Sequence, residues 1–161
     1  MPKIITTIMD QMIAHAKREA PYECCGILAG YVALAGVAPL AGAGDIATEI
    51  YEMTNISSDD PRIADLKIPK DRKIRYMMDP DEQFQVMRNM RERNVAMLGI
   101  YHSHPHSEAY PSTTDIRLAF YPNVFYLIIS LAEDTPSVRA FFIVDQKITE
   151  EKIERIENAS D

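Results

Sequence analysis

The apolar run at residues 95–100 passes without a break into Tyr101-His102-Ser103-His104-Pro105. A run of that length ending in polar residues is what a buried strand looks like where it emerges at a sheet edge. Alternate side chains of a strand share a face, so His102 and His104 point the same way and both imidazoles can reach one ion. The chain must therefore build a sheet with this segment inside it.

The flanking sequence supplies the other elements. Ile8, Met12, Ile13 and Ala16 recur at helical spacing, predicting an amphipathic helix over 8–20 with Thr7 as its cap and Pro21 closing it. Residues 25–34 and 47–53 read as two strands of a hairpin joined through a turn region at 36–44. Residues 55–72 lack periodicity and are expected to form a long irregular loop, rich in both charges, with a strand at 73–78 after it. Asp79-Pro80-Asp81-Glu82 opens a helix with a capping side chain, a proline in the first turn and acids at the positive helix end; Phe84, Met87 and Met90 line one face, and the helix stops near Asn94. Ser112-Thr113-Thr114-Asp115 has the form of a cap with an acid three residues on, opening a short helix that ends before Pro122. Strand-like runs at 124–131 and 138–144 precede a charged terminal segment, a last strand or helix. The whole is an α/β pattern.

Composition narrows the function. The 161 residues suit one domain, spanning 1–161. The net charge of −7 repels phosphate backbones and anionic membranes, so neither nucleic acid nor a membrane surface is an expected partner. No segment approaches the roughly 20 apolar residues of a membrane span, and the start lacks the pattern of a signal peptide. Cys24 and Cys25 are sequence neighbours, which argues against long-range disulfides and fits a reducing, cytoplasmic location.

Asp115 is a third ligand within reach of the histidine pair, because the loop at 105–111 is long enough to return the helix start toward the strand end. Two imidazoles and one carboxylate leave a fourth tetrahedral position open, which distinguishes catalytic from structural zinc. Ser112 shares that space with Asp115, and its hydroxyl can donate to an oxyanion. The cluster lacks a proton-transfer group; Glu23, immediately before an apolar strand, is the candidate.

Glu23, then His102-Ser103-His104-Pro105, then Ser112 and Asp115, resembles the motif of the JAMM (MPN+) zinc metalloprotease family, and Glu23 to Leu28 is similar to its small, stand-alone prokaryotic members. The element order agrees over roughly 4–144. The resemblance implies a cytidine-deaminase-like α/β fold, a mixed β-sheet flanked by helices. It implies one catalytic zinc held by His102, His104 and Asp115, with Glu23 shuttling a proton and Ser112 stabilising the oxyanion. It also implies hydrolysis of a peptide or isopeptide bond after the C-terminal Gly-Gly of a ubiquitin-like or sulfur-carrier protein, since residues without side chains thread a narrow groove. The loop at 55–72 is expected to meet that carrier or close over its tail.

Blander readings stand beside these. His15 on the first helix is expected to pair with a neighbour or face water, His106 is left out of the ligand set, and Cys24 and Cys25 are expected to be buried structural thiols, although Cys24 can approach the metal site. A catalytically silent scaffold of this fold would lack ligands that are present here. A cell-wall or phage-tail substrate remains an alternative for the peptidase. A zinc deaminase also needs a Pro-Cys-x-x-Cys element, which the sequence lacks.

Overall fold

The computed structural model describes residues 1–31, 45–57, 60–67 and 70–157. Among these, eight strands form one sheet in the order β7-β6-β5-β4-β2-β3-β1-β8. The strands are β1 (Lys3–Ile5), β2 (Cys25–Tyr31), β3 (Ile46–Met53), β4 (Ala96–His104), β5 (Phe125–Ser130), β6 (Ser137–Val144), β7 (Lys147–Glu151) and β8 (Glu154–Ile156). The sheet is mixed: β4 pairs in parallel with β5, and β1 with β3 and β8, while the other pairs are antiparallel.

Helix α1 (Thr6–Glu19) covers one face, where Ile8, Met9, Met12 and Ala16 pack on Leu28, Leu98 and Leu127. Helix α2 (Pro80–Glu92) covers the other, with Met90 against a second apolar cluster that includes Ile27, Ile100 and Ile128. The sheet is thus buried on both sides at its centre, which is why β5 reads as an unbroken apolar run.

The α2 cap forms as its sequence predicts: Asp79 accepts from the backbone N–H groups of Asp81 and Glu82, and Pro80 sits in the first turn. The chain leaves this helix through Asn94 in the left-handed region, at φ 56°. Phe84 is a correction. It is 70% exposed, because the buried stripe runs through Met90 and the half-buried Val86 and Met87 instead.

Other expectations also change. Helix α1 begins at Thr6 after Ile5 and has no side-chain cap, since the strand β1 runs directly into it. That three-residue strand is too short to show a periodicity. The terminal segment resolves as strands β7 and β8. No strand forms at 73–78; the segment makes a turn and then extends, and among the described residues its ladder pairing is limited to the isolated bridge of Met78 with Asn55. The long loop contains a 3-10 turn, Pro61–Ile63, whose Arg62 pairs with Asp60, Asp79 and Asp81 and ties the loop to the start of α2. The hairpin strands β2 and β3 pair as expected, while the turn assigned to 36–44 lies outside the described residues.

The pairing of β4 with β2 is irregular at one point. Between Leu28 and Ala29 of β2 the register against β4 slips by a residue, so that Met97, Leu98 and Gly99 oppose only two partners. Leu98 faces α1 and Ile100 faces the α2 side, two residues apart on opposite faces of the sheet. An extra residue in one strand has this effect, because it inverts the alternation beyond it.

Candidate functional site

Beyond the bulge, Ile100, His102 and His104 share one face and Tyr101 and Ser103 the other. Ser103 accepts a hydrogen bond from the backbone N–H of Cys24 at 2.8 Å, and its own N–H donates to the Cys24 carbonyl, locking the end of β4 beside Glu23. Tyr101 donates to or accepts from His15 Nδ1 at 2.9 Å, so His15 is a core histidine partnered as expected. The ring of Tyr101 lies where a side chain on Gly26 would stand, with atoms 2.3 Å from the position of a Cβ.

Helix α3 (Thr113–Arg117) returns to the strand end through the loop at 105–111. Ser112 and Asp115 form a complete capping box: the Ser112 N–H donates to Asp115 Oδ2 at 2.8 Å, and the Asp115 N–H donates to Ser112 Oγ at 3.1 Å. The box that starts the helix therefore also aims the carboxylate. Asp115 Oδ2 lies 3.3 Å from His102 Nε2 and 3.4 Å from His104 Nε2, and the two nitrogens are 3.0 Å apart.

These three atoms fit a metal ion. The Nδ1 of His104 meets the Glu108 carbonyl at 2.8 Å, and a carbonyl only accepts, so the proton sits on Nδ1 and a neutral ring turns the Nε2 lone pair inward. His102 is stacked on Tyr76 with ring centroids 4.4 Å apart. Lone pairs of two imidazoles and a carboxylate converging at 3.0–3.4 Å repel unless a cation or proton lies between them. Ligand bonds of about 2.0–2.1 Å at tetrahedral angles place donor atoms about 3.3 Å apart, the spacing of this cluster. Burial alone would raise the Asp115 carboxyl; the two imidazoles and the Ser112 N–H hold it well below the usual carboxylate range. It is a ready anionic ligand.

Glu23 lines the same cleft as His104 and Ser112. It is buried, its Oε2 has no hydrogen-bond partner, and burial pushes its carboxyl up to about 7 against the opposing pull of His102 and His104. A desolvated, unpartnered carboxyl beside a cluster of candidate ligands is a candidate for proton transfer. Glu23, Arg75, His104 and Ser112 line one cleft of about 250 Å³. A second cavity, about 280 Å³, reaches Glu23 from the α1 side, past Glu19, Cys24 and Glu52. Both cysteines are free and buried, and burial pushes the Cys24 thiol up to about 12. Cys24 lines that second cavity and is not among the converging ligand atoms.

Of the five residues singled out in the sequence, Glu23, His104 and Ser112 line one cleft, and His102 and Asp115 adjoin it through the cluster they form with His104. Sequence reasoning missed Asn55 and Arg75. Asn55 uses its full hydrogen-bonding capacity: Nδ2 donates to the Glu23 and Arg75 carbonyls at 2.9 and 2.8 Å, and Oδ1 accepts from the N–H groups of Ser57 and Met77, both at 3.1 Å. It staples the 72–77 segment to Glu23, whose N–H also donates to the Arg72 carbonyl at 2.7 Å. No motif marks such a residue, because its partners are backbone atoms scattered from Glu23 to Met77. Asn55→Ala should lower stability by about 2–3 kcal/mol, read as about 5–10 °C in Tm, with activity falling further than the lost folded fraction explains.

A mixed sheet with two imidazoles at the end of a central strand and a carboxylate at the start of the next helix defines an α/β protein with a candidate hydrolytic metal centre. The chain belongs to the family of prokaryotic homologs of the JAB domain, whose model matches residues 6–144. It is 32% identical over 151 residues to the CysO-cysteine peptidase of Mycobacterium tuberculosis, covering 93% of this chain and 88% of that one. It is 30% identical over 125 residues to the desampylase of Haloferax volcanii, covering 75% and 74%. Among solved structures, a protein from Desulfitobacterium hafniense superposes with a TM-score of 0.75 at 34% identity, covering 98% of this chain and 94% of the other.

Proposed function

We propose that the chain is a zinc-dependent peptidase that hydrolyses the amide after the C-terminal Gly-Gly of a ubiquitin-like or sulfur-carrier protein. The observation that carries the chemistry is the convergence of His102, His104 and Asp115 beside a cleft that the Glu23 carboxyl, with its unpartnered Oε2, also lines. The substrate class is supported by the relatives, one named for a CysO-cysteine bond and one for desampylation. The free cysteines fit a cytoplasmic enzyme, and among the described residues no helix is long and apolar enough to cross a membrane. The reading treats residues 1–161 as one catalytic domain, with the loop at 55–72 meeting the carrier.

Zinc held by His102, His104 and Asp115 would supply Lewis acidity and make water nucleophilic near neutral pH. Glu23 takes the proton released as water adds to the carbonyl carbon and returns it to the leaving nitrogen as the C–N bond breaks. Its carboxyl, raised by burial, suits both transfers. The Ser112 hydroxyl donates to the carbonyl oxygen as negative charge builds there. Ser112→Ala should lower kcat by about 10²–10³ with zinc content unchanged, as loss of one oxyanion donor does elsewhere.

The test incubates the purified protein with ubiquitin-like carriers extended past Gly-Gly by a cysteine, by a peptide, or through a lysine side chain, reading products by mass and metal by elemental analysis. Cleavage after the second glycine that requires zinc supports the proposal. Stoichiometric zinc without cleavage of any carrier removes the substrate class and favours a cell-wall or phage-tail substrate, and failure to bind zinc removes the chemistry and favours a scaffold.

A further inference from the structure

We propose that Arg75 is a positioning residue that sets the direction of the Ser112 hydroxyl; the inference rests on the oxyanion role proposed for Ser112. A serine oxygen has two acceptor lone pairs and one proton to donate. Here both acceptor sites are taken, one by the Asp115 N–H and one by Arg75 Nη1, each at 3.1 Å. The hydroxyl proton is then the only free valence of Oγ, and it points away from both donors. Ser112 lines the cleft it shares with Glu23 and His104, so that proton is offered to whatever oxygen lies there. Without the guanidinium, the hydroxyl can turn and accept from water or substrate instead, and part of the population no longer donates.

The arrangement of Arg75 fits this role better than a structural one. The two hydrogens of Nη1 are divided between Ser112 Oγ and the Ile74 carbonyl at 2.9 Å, which fixes the plane of the group. The Arg75 carbonyl is itself held by Asn55 Nδ2 and by Ser57 Oγ at 2.9 Å. Nε, however, is buried with no partner. An unsatisfied buried donor is a cost, and a side chain retained only for stability would not carry it. A lysine, with one nitrogen on a flexible stem, cannot divide its contacts in this fixed plane.

The test is a double-mutant cycle on a ubiquitin-like carrier ending in Gly-Gly-Cys, with Arg75→Met, Ser112→Ala and the double variant, and Arg75→Lys as a variant that keeps the charge. Loss of one orienting hydrogen bond should lower kcat about tenfold in Arg75→Met at unchanged KM and unchanged zinc content. The double variant should be no slower than Ser112→Ala alone, and Arg75→Lys should recover part of the loss. Effects of the two single changes that multiply in the double variant, or an Arg75→Met effect confined to KM, would overturn the inference. A second readout needs no turnover: side-chain ¹⁵N spectra of the zinc-loaded protein should show restricted rotation of the Arg75 guanidinium that is relieved in Ser112→Ala. Free rotation in the parent, or no change in the variant, overturns the inference even if no carrier is cut, an outcome that by itself removes only the proposed substrate.

Discussion

Glu23→Gln should lower kcat by about 10²–10⁴ while the protein still binds one zinc, because the amide keeps the shape of the carboxyl and cannot carry the proton. The same substitution should leave the metal-free protein at least as stable as the parent at neutral pH. The sign follows from linkage. The Glu23 carboxyl lies at about 7 in the folded state against an ordinary 4.5, so the folded protein binds more protons between those values. Its contribution therefore becomes unfavourable as pH rises from 4.5 and reaches its full cost above 7, on the order of 3 kcal/mol. A purely structural acid would show the reverse, losing stability when neutralised. Melting curves of parent and variant at pH 5 and pH 8, set beside turnover of a Gly-Gly-extended carrier, check both halves. A variant that still turns over at the parent rate would remove Glu23 from the mechanism.

The second large effect concerns the metal. Saturating zinc at roughly 100 to 1,000 times its dissociation constant stabilises a folded state by about 2.7–4.1 kcal/mol, so chelation should lower Tm by about 5–15 °C and stop turnover, both restored by added zinc. Asp115→Asn separates the two tasks of that residue. An amide oxygen at the third helical position can still accept from the Ser112 N–H, so the start of α3 survives, whereas the anionic ligand is gone. The variant should fold and fail to retain zinc. Calorimetric titration with zinc reads the difference; affinity equal to the parent's would exclude Asp115 as a ligand.

Much of this site was legible in one dimension because its parts have local causes. The apolar run ending in His102 and His104 announces a strand exit, and Ser112 with Asp115 announces a helix start, each by residue types whose spacing carries the geometry. The α2 cap at Asp79 was legible for the same reason. Phe84 was not, because the width of a buried helical stripe depends on what covers it. The expected strand at 73–78 failed because its residues hydrogen-bond mainly to the side chains of Asn55 and Ser57, not to a neighbouring strand.

By itself the sequence determined which side chains are candidates for the chemistry and in what order they occur: a carboxyl before the first central strand, two imidazoles two residues apart, and a hydroxyl and carboxylate joined in a capping box. Local backbone geometry suffices for each of those pieces. Only the tertiary structure decided how they face one another. The extra residue near Leu98 inverts the alternation of β4 and turns His102 and His104 toward α3; without it they would follow Leu98 onto the face covered by α1. The hydrogen bonds of Ser103 to Cys24 and of Asn55 to Glu23 then bring a carboxyl from far upstream in the chain to the same cleft. A strand register and a side chain bonded to distant backbone atoms are properties of pairs of segments, and no single stretch of sequence encodes them.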